Sequence, residues 1–267
     1  MYTFNNPCTF LTDYTDHVNG VYSGGGGTNL SREQLITIKL IHIGTSTLTT
    51  TQYNFLQNNA NIANMLNYWL SQNNNLNGAN FVKWAVDFFI DNSTNGVSYI
   101  TWTEFNNFIM TEQDYRDEMS ISEKQIFDNL TYAQQMNYLM SAYQALTASQ
   151  NIYGTKNCTL LNGKGDAFRH TYWNALCRRR LGLNITNQLT TAHEDKPLAY
   201  LYQNKEKEMD LFNNSIGMNL LYNQWATIYT IQEDIKTKLN AGNLRYISNL
   251  DVNCQATNNS ALIPTNQ

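Results

Sequence analysis

The sequence predicts an all-α protein, with an N-terminal helical region packed with or linked to a C-terminal helical domain. Three observations lead there: only three prolines in 267 residues, long stretches of 3.6-residue apolar periodicity, and repeated Ser/Thr-x-x-Glu/Gln capping signatures. At 42% hydrophobic, the chain can bury a sizeable core, and its length allows one domain or two. Charged residues make up 14%, below the usual quarter, and Asn, Thr, Tyr and Gln supply the polarity instead.

Residues 1–29 read as an N-terminal arm ending in a flexible joint at Gly24–Gly27. A helical region follows over 30–115. Ser31 and Gln34 open it as a capping box ahead of Leu35, Ile38, Leu40 and Ile41. Phe55–Leu70 and Phe81–Ile90 carry further helical patterns, and Asp91–Gly96 reads as a turn, since an EF-hand loop needs an acid where Trp102 stands. Thr101 with Glu104 caps a short aromatic helix, and Glu112–Glu118 reads as a surface connection.

The motif-bearing domain spans 116–250. Ser122 with Gln125 and Thr131 with Gln134 restart helices, the second burying Met136, Leu139, Tyr143 and Leu146. Asn151–Gly163 reads as a loop leading into a helix over Asp166–Leu181, which Gly182 stops. A short helix covers Thr186–Glu194 and ends before Pro197. A long one starts at Asn204 and runs towards Trp225, and a last one covers Thr230–Leu239 up to Gly242. The tail, 251–267, is Asn/Thr-rich and expected to be loosely held.

A net charge of -4 and a pI near 5.5 disfavour general nucleic-acid binding. Arg178–Arg180 at a helix C-terminus complements the helix dipole. No run of ~20 apolar residues is present, so no transmembrane segment is expected, and the first residues lack the features of a secretory signal. The chain is expected to be exported or delivered as an effector or as part of a larger polypeptide, and otherwise to be cytoplasmic. Cys8, Cys158, Cys177 and Cys254 are widely spaced, which is compatible with free thiols or with one or two disulfides.

The chemistry concentrates in Asp166-Ala167-Phe168-Arg169-His170-Thr171-Tyr172-Trp173-Asn174-Ala175. On a helix, Asp166, Arg169, His170, Trp173 and Asn174 fall at i, i+3, i+4, i+7 and i+8, one continuous face. His193-Glu194 and Asp210 come from the next two elements, offering together two imidazoles and three carboxylates. That set suits a divalent cation (Zn, Mn, Mg or Ca), with Asp166, His170, His193 and Asp210 as ligands and Glu194 as base. A metal-free site would use His170, Glu194, Arg169 and Asp166, while Trp173, Asn174, Asn213 and Asn214 would contact substrate. The competing class is a non-enzymatic module whose motif is a buried polar network, with Asn174 bonded to Asn214. His17 and His42 lie far from the motif, and Gly163-Lys164-Gly165 is not a P-loop because no Ser/Thr follows the lysine.

Asp166–Ala175, His193-Glu194 and Met209–Gly217 together resemble a bacterial domain of unknown function patterned D-A-F-R-H-x-x-W-N-A, H-E and M-D-L-x-N-N-x-x-G. The resemblance covers roughly a quarter of the chain. Met218 stands where relatives tend to have Arg. Such domains are similar to C-terminal parts of exported or toxin-like proteins of Bacteroidetes, which implies a toxin or effector hydrolase acting on a phosphoester or lipid ester. An immunity protein or a secretion or injection apparatus would be its partner. The two-histidine, three-acid outline also resembles the H…HD…D set of helical metal phosphohydrolases, with Glu194 in place of Asp. Phe168-Arg169-His170 resembles the active-site helix of bacterial phospholipases A2, where Thr171 stands in place of the Asp that helps bind calcium.

Overall fold

Capping boxes set where five of the described helices begin. The computed structural model describes residues 30–155, 157–223 and 226–267; the arm, the Gly24–Gly27 joint, Cys8, His17 and Trp225 lie outside them. Helix α1 (Arg32–Ile43) starts from the Ser31/Gln34 box and stops at Gly44, whose φ of 81° is a left-handed cap. Thr49 and Gln52 open α2 (Thr50–Asn58), and α3 (Ala60–Gln72) follows directly. The expected single run Phe55–Leu70 is thus two helices. Asn59 breaks it, donating from Nδ2 to the Phe55 and Gly96 carbonyls and accepting at Oδ1 from the Ser98 amide.

Helix α4 (Leu76–Asp91) leads into a hairpin of β1 (Ser93–Thr94) and β2 (Val97–Ser98). Asn95 and Gly96, at φ 53° and 77°, supply the left-handed turn it needs. Helix α5 (Trp102–Asp117) starts at the Thr101/Glu104 box and runs on through the expected surface connection, since nothing there is Gly or Pro. Helix α6 (Ile121–Asp128) is capped by Ser120 with Glu123, not by Ser122 with Gln125.

Thr131 and Gln134 cap α7 (Tyr132–Tyr153), and the expected loop after it holds a one-turn helix, α8 (Asn157–Leu160). Then come α9 (Lys164–Leu181), α10 (Leu183–His193), α11 (Gln203–Asn219) and α12 (Ile228–Asn240). Strands β3 (Arg245–Ile247) and β4 (Leu262–Pro264) pair antiparallel, with Tyr246 opposite Ile263. The described residues are therefore mostly helical, as expected for an all-α chain. Among them no helix is long and apolar enough to cross a membrane.

Helix α9 is the central rod. Twelve of its eighteen residues are buried, so its polar stripe must face other helices rather than solvent. Phe168, Tyr172, Trp173 and Leu176 join one apolar core that runs from Ile36 to Leu244. The arginines at its end also tie helices together. Arg179 grips Asp91 through two bonds of 3.0 and 3.1 Å, and Arg180 reaches Ser141 and Gln144 on α7. Helix α11 crosses α9 at very close range: a Cβ on Gly217 would lie 2.2 Å from the Thr171 carbonyl oxygen and 2.7 Å from Asn174 Cβ.

The tail is not loosely held. Cys254 forms a disulfide with Cys158, and β4 pairs with β3. The Lys205 ammonium also gathers the carbonyls of Thr257 and Ser260, each at 2.8 Å. Cys177 is a buried free thiol.

Two stability predictions follow from this packing. Reducing the Cys158–Cys254 bond, which spans 96 residues, should remove about 4–5 kcal/mol in the chain-entropy picture. That lowers the melting temperature by roughly 10 °C or more; an unchanged melt in reductant would show the tail to be held without it. Gly217→Ala must push α11 off α9 and should cost ~1–3 kcal/mol, read as a lower urea midpoint at unchanged slope.

Candidate functional site

The crossing of α9 and α11 orders the polar residues in a chain whose directions can be deduced. The His170 carbonyl can only accept, so the Asn174 group 2.9 Å from it is the amide donor, Nδ2. That nitrogen also lies 2.6 Å from Asn214 Oδ1, which fixes the Asn214 amide with its oxygen towards α9. The same oxygen stands 3.1 Å from His170 Nδ1, so Nδ1 carries the proton. Asn214 Nδ2 donates to Glu194 Oε1 at 3.2 Å, and that carboxylate is 3.6 Å from Nδ1. His170 Nε2 is then left with its lone pair.

Two carboxylates face that lone pair. Asp166 Oδ1 and Asp210 Oδ1 each lie 3.4 Å from Nε2. Asp166 also takes the Asn162 backbone N–H at 2.6 Å on Oδ2 and the Arg169 guanidinium on Oδ1. Arg169 Nη2 also donates to the Nε2 lone pair at 3.3 Å. Asp210 Oδ1 has no such donor and is buried without a hydrogen bond. The His170 and Asp166 side chains are 6% and 3% exposed, against 32% for Arg169, so the site reaches solvent on the arginine side.

Burial holds the His170 imidazole below its usual range, against the pull of Asp166 and Glu194. Burial, followed by Asp166 and Glu194, pushes the Asp210 carboxyl well above the usual carboxylate range. Three carboxylates thus share one buried place with one guanidinium, an excess of negative charge that a proton or a cation can balance.

Asp166, His170 and Asp210 form a trio whose ligand-type atoms all lie within 4.8 Å of one another. Two ligand atoms on a tetrahedral ion, each about 2.1 Å from it, are about 3.4 Å apart, the separation found at Nε2. His170 Nδ1–H held by Asn214 is also the outer hydrogen bond that a metal-ligating imidazole requires.

The other expected site residues are distributed around this trio. His193 is not one of its ligands: Nδ1 lies 2.8 Å from Glu123 Oε2 on α6. Glu194, expected as base, sits behind the imidazole and holds Asn214. Trp173, Asn174, Asn213 and Asn214 are all buried. Trp173 meets both imidazole rings edge-on, with centroids 6.1 Å from His170 and 5.0 Å from His193. Asn213 clasps β3, donating to the Arg245 carbonyl at 2.8 Å and accepting its amide at 3.0 Å. Glu123, Tyr138 and Asn162 were absent from the expected set. Asn162, at φ 67°, carried the only sequence signal, as an Asn-Gly turn before α9.

The Asp210 shift has a signed consequence for stability. Its folded pKa lies above the unfolded value of about 3.9, so its contribution is full at low pH and is lost as pH rises through that window. In chelator, the melting-temperature gain of Asp210→Asn over wild type should therefore grow from pH 4 to pH 8. A difference that shrinks with pH would mean that Asp210 is not held protonated.

Residues 127–243 match the family model described as a domain of unknown function, DUF6973. That span holds Asp166, His170, His193, Glu194 and Asp210, and stops short of Glu123. No curated protein and no solved structure matches the chain.

Proposed function

We propose that this protein is a hydrolase of phosphoesters, with a divalent cation held by Asp166, His170 and Asp210. The observation that carries the proposal is the charge balance at the trio, where Asp210 Oδ1 is buried with no donor beside an imidazole lone pair. A cation there satisfies Asp210 and takes the lone pair over from Arg169, which now donates to it at 3.3 Å. The mixed nitrogen and oxygen donors suit Zn²⁺ or Mn²⁺, which would polarise the ester and lower the pKa of a bound water. Arg169 is one-third exposed on the same edge, so positive charge meets an anionic ester there.

A lipid ester fits less well. Thr171, in the place of the phospholipase Asp, is fully buried and donates to the Ala167 and Asn213 carbonyls. It offers no carboxylate for calcium. The Cys158–Cys254 disulfide supports a working life in an oxidising compartment. That agrees with an exported toxin or effector, part of a bacterial protein of the Bacteroidetes type.

The test uses the full chain with Mn²⁺ or Zn²⁺ and bis(p-nitrophenyl) phosphate. One cation should bind per chain, EDTA should abolish hydrolysis, and His170→Ala should lose both binding and at least ~100-fold in kcat. The proposal fails if no cation binds and His170→Ala lowers the melting temperature by several degrees regardless of chelator. That result marks a structural network, in which the substitution strands buried partners at a cost of ~1–3 kcal/mol.

A further inference from the structure

Apart from the trio, the described residues hold another buried carboxylate paired with an imidazole. Glu123 is 2% exposed, and three donors converge on it. The Tyr138 hydroxyl reaches Oε1 at 2.7 Å, while the Ser120 amide at 3.2 Å and His193 Nδ1 at 2.8 Å reach Oε2. Burial, then Glu123 itself, pushes the Tyr138 hydroxyl well up, which keeps it a donor.

Capping does not explain this acid. The boxes of α1, α2 and α7 use Gln at the same position, and Glu104 of α5 is exposed. A buried negative charge at the α6 cap is therefore more than the cap needs, and its other partner is His193. A carboxylate offers only acceptors, so His193 Nδ1 carries a proton, and the neutral imidazole keeps its lone pair on Nε2. The His193 side chain is 27% exposed, and among the described residues Nε2 has no hydrogen-bond partner. The Trp173 ring meets His193 edge-on, with centroids 5.0 Å apart, and its Nε1 is buried without an acceptor.

Trp173 lies edge-on to both the His193 and the His170 rings, and from that juxtaposition the geometry points to Glu123 and His193 as a proton-transfer dyad serving the trio, with His193 Nε2 the catalytic base and Glu123 the residue that positions it. The inference rests on the hydrolase proposal for its reaction. Water's oxygen forms the bond to phosphorus as its proton passes to Nε2, leaving an imidazolium opposite the Glu123 carboxylate. The bond from phosphorus to the leaving oxygen breaks, and the imidazolium returns the proton to that alkoxide.

Two readouts test it on the full chain with Mn²⁺ and bis(p-nitrophenyl) phosphate. His193→Gly should lower kcat about 100-fold or more with KM and cation stoichiometry unchanged, and added imidazole should restore part of the rate. Glu123→Gln keeps the capping box but leaves the buried Tyr138 hydroxyl without its acceptor, so it should melt below wild type yet stay folded at the assay temperature, and there it should lose rate. Wild-type kcat in His193→Gly overturns the dyad, as does a loss that imidazole cannot rescue. Independently of hydrolysis, diethyl pyrocarbonate should modify His193 ahead of buried His170, and Glu123→Gln should slow that reaction. An unreactive His193 sinks the dyad whether or not the ester is cleaved. A reactive one in a chain inert to the ester sinks the hydrolase and keeps the dyad's geometry.

Discussion

The close passage of α11 over α9 is the constraint on which the site depends. At Gly217 there is no room for a side chain, because the Thr171 carbonyl and the Asn174 Cβ fill the space. That proximity brings Asn214 onto Asn174 and His170, and it carries Asp210, one turn earlier on α11, to the imidazole's other nitrogen. Rotation of α11 is fixed from two directions. Asn214 reaches α9, and Asn213 forms a paired backbone clasp on β3, as a neighbouring strand would. Asparagine is a poor helix interior residue, so two in succession are explained by what each grips.

A buried amide network of this kind determines protonation as well as position. One carbonyl of α9 orients Asn174, which orients Asn214, which sets the tautomer of His170. Each bond contributes only ~1 kcal/mol net, and Asn174 Oδ1 stays buried without a donor, so the directions rest on the His170 carbonyl, which can only accept. In a chain with so few charges, three acids gathered at one imidazole are a concentrated departure from composition. Asp166 and Glu194 each accept from fixed donors, while Asp210 Oδ1 does not, and the chemistry proposed for this site grows from that difference.

Much of the fold and of the central trio was legible in the sequence. The i, i+4 spacing of Asp166 and His170, the capping boxes at Ser31, Thr101 and Thr131, and the Asn213-Asn214…Gly217 face all correspond to contacts seen. The fate of His193 was not legible, for a simple geometric reason. Adjacent helical residues point about 100° apart, so His193 and Glu194 at the end of α10 serve different partners: Glu194 faces α11 and His193 faces α6. Glu123 is missed because the cap reads as Ser122 with Gln125, two residues beyond the Ser120 and Glu123 pair that forms it. The break at Asn59 depends on a hairpin some forty residues away. The tail's composition spoke for looseness, and nothing local could pair Cys254 with Cys158.

That disulfide has a topological consequence. Residues 158 to 254 form a closed covalent ring, and every residue of the trio and its amide network lies inside it. The exposed stretch 195–199 between α10 and α11 is the natural place for a protease to cut. A cut there opens the ring to a linear chain without releasing either piece. Helices α9 and α11 stay tethered through sulfur, at high local concentration for each other, so a nicked molecule can retain its site and travel as one species until a reductant separates its halves.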